Sequence, residues 1–296
     1  MKLARFLHDG VTHIGVVNEA DGVVQPIAAR SQDVDPMIAF IERQIEGEEP
    51  RSNGAALPLQ DIRLLPPITA PSKNILCVGK NYRAHAFEFA GSGFDGSASR
   101  DDDAVPDAPI IFSKAPCSMT GAYDDILSPA AMMESLDYEA ELGVVIGKGG
   151  RAIPGENAYD HVWGYTVIND VTARIVQSRH KQWLLGKSVD TFCPIGPWIV
   201  SADELNPEAL EISCWVNGER RQHASTRDLI FDIPSIIEVI SASMTLQTGD
   251  IIATGTPAGV GIGFDPPQFL REGDVVRVEI SGIGALENRV LRLAPS

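Results

Sequence analysis

The stretch Leu136-Asp-Tyr-Glu-Ala-Glu-Leu-Gly-Val-Val-Ile-Gly147 decides how this chain is read. Glu139 and Glu141 stand two residues apart at the head of an apolar run, and on a strand residues two apart share a face. Tyr138, Ala140, Leu142 and Val144 alternate with Glu139, Glu141, Gly143 and Val145. Beyond Leu142 both faces are apolar, as in a strand buried on both sides. Two carboxylates on one face repel unless something positive lies between them. Burying them without a counter-charge is expensive. Downstream, Trp163-Gly-Tyr-Thr-Val-Ile-Asn-Asp170 reads as a second strand ending on a third carboxylate, and Gly186-Lys-Ser188 closes the region. Three carboxylates without clustered thiols suit a hard cation such as Mg²⁺ or Mn²⁺. The same spacing also serves a salt-bridged structural cluster, and spacing alone leaves both open.

Working outward, residues 1–65 read as a small N-terminal α/β module. Strands are expected over 3–7, 14–18 and 23–27. A short helix is expected over 36–44, with Asp35 as N-cap and Pro36 at its first position. The proline-rich run Pro66-Pro-Ile-Thr-Ala-Pro-Ser72 marks the boundary, and 66–296 reads as the larger domain. There a strand over 74–78 leads to a short helix capped by Asn81 and ended by Gly91, which places His85 and Glu88 on one face. Residues 92–108, rich in Gly, Ser and Asp, read as a surface loop or a lid. A helix is expected over 171–181 and another over 233–243 behind Asp232. Asn217-Gly218 signals a type I′ hairpin. Many short strands with few helices, lacking regular strand–helix alternation, give a β-rich α+β class.

A formal net charge of -16 over 296 residues argues against nucleic acid or an anionic membrane as partner. No apolar run reaches a membrane span, and Met1-Lys-Leu-Ala-Arg-Phe-Leu-His-Asp9 lacks a signal-peptide core, so a cytoplasmic protein is expected. Cys77, Cys117, Cys193 and Cys214 form no C-x-x-C pair and read as free thiols, with Cys193 the one weighed as a nucleophile. Gly186-Lys-Ser188 lacks the upstream glycine of a phosphate-binding loop. Gly255-Thr-Pro-Ala-Gly-Val-Gly-Ile-Gly263 lacks the following helix of a dinucleotide fingerprint. It reads instead as a turn whose backbone approaches a ligand.

Five blocks carry a resemblance: Val78-Gly-Lys-Asn-Tyr-Arg-Ala-His85, Asp137 to Gly147, Gly164-Tyr-Thr-Val-Ile-Asn-Asp-Val-Thr-Ala-Arg174, Gly186 to Pro197, and Gly249 to Gly261. In their order and spacing the chain resembles the fumarylacetoacetate hydrolase family over roughly residues 66–293. The resemblance implies a mixed β-sandwich roll as catalytic core, usually homodimeric, holding Mg²⁺ or Mn²⁺. It implies Glu139, Glu141 and Asp170 as metal ligands, His85 and Glu88 as a water-activating pair, and Lys187 as the active-site lysine. Arg83, Arg174, Gln177 and Thr256 fall at substrate-facing positions. Two departures stand out. Ile175 replaces an acidic residue after Arg174, which would loosen that arginine, and Val189 replaces an aromatic residue after Ser188. The expected activity is hydrolysis of a C–C bond in a β-diketo acid of the acylpyruvate type. The alternatives are decarboxylation of oxaloacetate, or isomerisation or hydration of an unsaturated 2-keto acid, all through an enolate at the same site. A non-catalytic metal- or ligand-binding protein is the reading from another class.

Overall fold

Two sheets face each other, and the carboxylate strand lies in the larger one. The computed structural model describes residues 1–29, 34–94 and 104–294. The larger sheet is mixed and 12-stranded; its central run passes through Lys2–His8, Cys193–Ser201, Val162–Asn169, Ala140–Ile146, Ile251–Ala253, Ile75–Gly79 and Ile110–Lys114. The smaller sheet has five strands, with Glu211–Val216, Val275–Ile280 and Gly284–Arg292 at its centre. This is the β-rich α+β architecture expected from the many short strands.

The alternation in the carboxylate strand resolves into two cores. Leu142 and Val144, with Tyr165 and Val167 of the neighbouring strand, pack against Ile212, Cys214, Val278 and Leu286 of the smaller sheet. On the opposite face, Val145 and Ile168 join Leu3, Ile75 and the helical residues Met37 and Ile41. Burying each such aliphatic side chain stabilises by roughly 1.5–3 kcal/mol. A strand buried on both sides therefore has no solvent face left to tolerate a charge. Glu139 and Glu141 stand at the head of this strand.

The N-terminal strands continue the larger sheet. Lys2 and Leu3 pair antiparallel with Val200 and Ile199, and the helix Pro36–Ile45 packs on the sheet's outer core. Asp35 caps that helix, accepting from the Met37 and Ile38 amides at 2.9 and 3.2 Å. Asp232 caps Ile233–Ser243 in the same way. At the hairpin, Asn217 and Gly218 take the positive φ values of a type I′ turn, 52° and 82°.

Two local expectations give way to long-range contacts. Asn81 does not cap the helix Arg83–Gly91, whose N-cap is Tyr82. Its amide nitrogen donates to the Phe231 and Thr254 carbonyls and its oxygen accepts from the Phe231 amide, so no local acceptor remains. The helix expected from 171 begins at Arg174, because Thr172 and Ala173 pair with Asp137 and Leu136 as a short ladder. Most of the segment read as loop or lid, 95–103, lies outside the described residues. No helix among the described residues is long and apolar enough to cross a membrane.

Candidate metal and keto-acid site

The site starts from strand register. Ala140 pairs with Asn169, so Glu139 meets Asp170 across the ladder, and the Asp170 amide donates to the Glu139 carbonyl at 2.8 Å. Glu141, two residues on, turns its side chain to the same side. One carboxylate oxygen from each of Glu139, Glu141 and Asp170 lies within 4.8 Å of the others. All three residues are buried.

Cations clamp two of the three. The Lys187 ammonium lies 2.7 Å from both Glu139 Oε2 and Asp170 Oδ2. Arg174 Nη2 is 2.6 Å from Glu139 Oε1, while its Nε donates to Asp137 Oδ2 at 2.9 Å. Behind them the fully buried Lys114 reaches Asp170 Oδ1 at 2.7 Å and donates to the Val171 and Lys187 carbonyls. Burial alone would raise the Glu139 carboxyl, but Lys187, Arg174 and His85 together hold it well below the ordinary carboxylate range. Burial would likewise depress the Lys187 ammonium, and Asp170 and Glu139 raise it instead.

Glu141 is the exception. Among the described residues no cation lies within ion-pair distance of it, and the one hydrogen bond found for its carboxylate comes from the Gly255 amide at 2.9 Å. Burial first, then the nearby Asp170 and Glu139, push its carboxyl well above the ordinary value. Lys114, Arg174 and Lys187 thus pair with Asp137, Glu139 and Asp170, and none of them pairs with Glu141. An all-oxygen set with one uncompensated buried carboxylate fits a hard divalent cation. Glu139, Glu141 and Asp170 are the residues that would hold it.

His85 faces the same cavity, which is also lined by Lys80, Gln177, Trp183 and Thr256. His85 Nδ1 lies 3.0 Å from Glu88 Oε2. Glu88 Oε1 in turn accepts from the Gly259 amide at 2.8 Å. The glycine-rich loop therefore brings its backbone to the protein's own carboxylates. Two of its glycines lie against close neighbours, Gly263 against the Glu88 side chain and Gly259 against backbone. A Cβ on Gly263 would sit 1.8 Å from Glu88 Oε1, and one on Gly259, where φ is +102°, would sit 1.9 Å from the Arg221 carbonyl oxygen.

The structure brings His85, Glu139, Glu141, Arg174, Gln177, Lys187 and Thr256 to one cavity wall. Glu88 and Asp170 stand directly behind it. Arg83 is placed elsewhere: it is exposed and lines a separate groove with Phe87 and His223, on another face of its helix. Ile175 does not loosen Arg174, which is 1% exposed and held by Asp137, Glu139 and Gln177. Cys193 is fully buried, and that burial pushes its thiol up to about 12, too high for a resting thiolate nucleophile. Two participants were not singled out from sequence. Lys114 ends an apolar strand, and a lysine closing such a run is a usable signal. Asp137 sits at the short ladder, where only its partners identify it.

A family model described as the fumarylacetoacetate hydrolase C-terminal domain matches residues 74–291. A second, described as Rv2993c-like, N-terminal, matches residues 1–67. The chain is 51% identical over 233 residues to the oxaloacetate tautomerase YisK of Bacillus subtilis, covering 78% of this chain and 74% of that protein. Among solved structures, a fumarylacetoacetate hydrolase from psychrophilic Exiguobacterium antarcticum is 40% identical with a TM-score of 0.84, covering 99% of this chain and 100% of that one. A maleylpyruvate hydrolase from Sphingobium sp. SYK-6, in complex with manganese(II) and pyruvate, is 32% identical with a TM-score of 0.77, at 99% and 100% coverage. With most of its length matched and its buried carboxylates converging, the chain belongs to the fumarylacetoacetate hydrolase family of enzymes.

Proposed function

We propose that this chain is a divalent-metal-dependent keto-acid enzyme whose reaction is the keto–enol tautomerisation of oxaloacetate. The observation that carries this reading is the 51% identity to an oxaloacetate tautomerase. A small cavity that sets cations beside three carboxylates supports it. The proposal favours the isomerase alternative over the acylpyruvate hydrolase expected from the family resemblance. Mg²⁺ and Mn²⁺ are the proposed metals, Mn²⁺ being the ion held by the maleylpyruvate hydrolase structure.

In the enol-to-keto direction a proton leaves the C2 hydroxyl and another arrives at C3; the reverse direction exchanges the two events. When bound, a divalent cation supplies Lewis acidity at the keto oxygen. The protein's residues do the rest. Arg174 and Gln177 hold the carboxylate end of the substrate. Lys187, fixed between Glu139 and Asp170, keeps positive charge where oxyanion character develops. With Glu88 accepting from Nδ1–H, His85 keeps its Nε2 lone pair to carry the C3 proton. That tautomer follows from the hydrogen bond to a carboxylate.

Hydrolysis of an acylpyruvate is the second reading, favoured by the likeness to maleylpyruvate hydrolase. There the same His85–Glu88 pair would take a proton from water. One assay separates them. Freshly dissolved enol-oxaloacetate is followed by its ultraviolet band with Mg²⁺ or Mn²⁺, with pyruvate formation measured in parallel, and acetylpyruvate is tested alongside. Tautomerisation predicts faster loss of the enol band without pyruvate. Pyruvate from oxaloacetate would indicate decarboxylation, and consumption of acetylpyruvate with an inert enol band would replace the proposal with hydrolysis.

A further inference from the structure

We propose that Asp137 is a positioning residue that fixes Arg174 and the glycine-rich loop as one unit, so that the guanidinium meets the ligand's carboxylate in a single orientation. Asp137 is fully buried. Its Oδ1 accepts from the amides of Tyr138 and Gly261 at 2.9 and 2.6 Å. Its Oδ2 accepts from the Ile262 amide at 3.1 Å and from Arg174 Nε at 2.9 Å. Each oxygen thus takes two donors, and no other orientation of the carboxylate keeps all four.

The consequence passes to Arg174. A guanidinium held at Nε cannot swing about its long axis, so its two outer nitrogens are aimed. Nη2 faces Glu139 Oε1 at 2.6 Å, and Nη1 lies 3.3 Å from Gln177 Oε1, both at the cavity wall. The loop that Asp137 anchors at Gly261 and Ile262 also gives its Gly255 amide to Glu141 and its Gly259 amide to Glu88. One backbone segment therefore sets Arg174, a candidate metal ligand and the histidine's orienting carboxylate. An amide side chain at 137 keeps the shape but turns an N–H₂ toward donors on one side, so an isosteric change breaks the arrangement without opening a cavity.

The ligand half of the test rests on the keto-acid reading; a second readout does not. Oxalate, a small chelating diacid, serves as probe, measured calorimetrically with Mn²⁺ present. Asp137→Asn is expected to weaken oxalate about 10- to 100-fold, the worth of a charge-assisted hydrogen bond. Placed on Arg174→Gln, the same change is expected to add less than about twofold, because both act through one contact. Losses that multiply in the double variant, or unchanged oxalate affinity in Asp137→Asn, overturn the proposal. Arg174→Lys keeps the charge and lacks Nε, so it folds with its buried charges balanced should Asp137→Asn prove unstable. It is expected to show the same oxalate loss, and full affinity there also overturns the idea. Independently of any ligand, the Arg174 Nε–H resonance in ¹⁵N NMR, assigned by its absence in Arg174→Lys, should be protected from exchange in the wild type and lose protection in Asp137→Asn. Persistent protection in that variant rejects the positioning role even if the keto-acid reading stands, whereas lost protection with no oxalate binding to the wild type rejects only the reading.

Discussion

The two poles of the cavity are built differently. The carboxylate pole rests on adjacent strands of the large sheet, and Lys114, Arg174 and Lys187 tie it together at 2.6–2.7 Å. The histidine pole rests on one nine-residue helix, Arg83–Gly91, tied to the loop by the Glu88–Gly259 hydrogen bond. The first is held by long-range pairing and by charges too deeply buried to separate cheaply. The second is held by the His85–Glu88 dyad, the Gly259 amide and the packing of Phe89 on Val260 and Ile262. A pole that must hold a cation gains from rigidity, whereas a pole that passes a proton needs only one well-aimed nitrogen.

The sharpest break of this comparison is at Glu141. Glu141→Gln is expected to abolish Mn²⁺ binding by calorimetry and to lower kcat/KM about a thousandfold or more. In metal-free protein it should also raise the melting temperature by about 2–4 °C, since it removes an uncompensated buried charge. A lowered melting temperature would mean that the lost Gly255 hydrogen bond outweighs the relief of the buried charge. At the other pole, His85→Ala is expected to leave Mn²⁺ affinity intact and to cost turnover about 10²- to 10⁴-fold. Turnover at the wild-type rate would remove His85 from the proton path. The smallest effect is expected of Gly263→Ala. Its new methyl group displaces Glu88, so kcat should fall by about tenfold, with metal affinity unchanged, through a misaimed histidine. Weakened metal binding there would show that the loop's hold on Glu141 moves with its hold on Glu88, and that the poles are less separate than drawn.

The sequence by itself determined what depends on spacing along the chain. Glu139 and Glu141 share a face because a strand repeats every two residues. Asp35 and Asp232 cap their helices because the unpaired amides of a first turn lie within reach of the preceding side chain. Asn217-Gly218 turns the hairpin because both residues accept positive φ. His85 and Glu88 meet because they lie three apart on one helix. Only the tertiary structure decided the contacts that join distant segments. The Ala140–Asn169 register carries Asp170 to Glu139. The same long-range packing sets Lys114 behind Asp170, gives Asp137 to Arg174 and two loop amides, and leaves Arg83 on the outside. It also takes Asn81 from the cap it was expected to make. A local hydrogen bond is encoded in a few neighbouring residues. A buried charge network is set by which strands pair, because once water is excluded each charged group must find its partner wherever the fold has placed one.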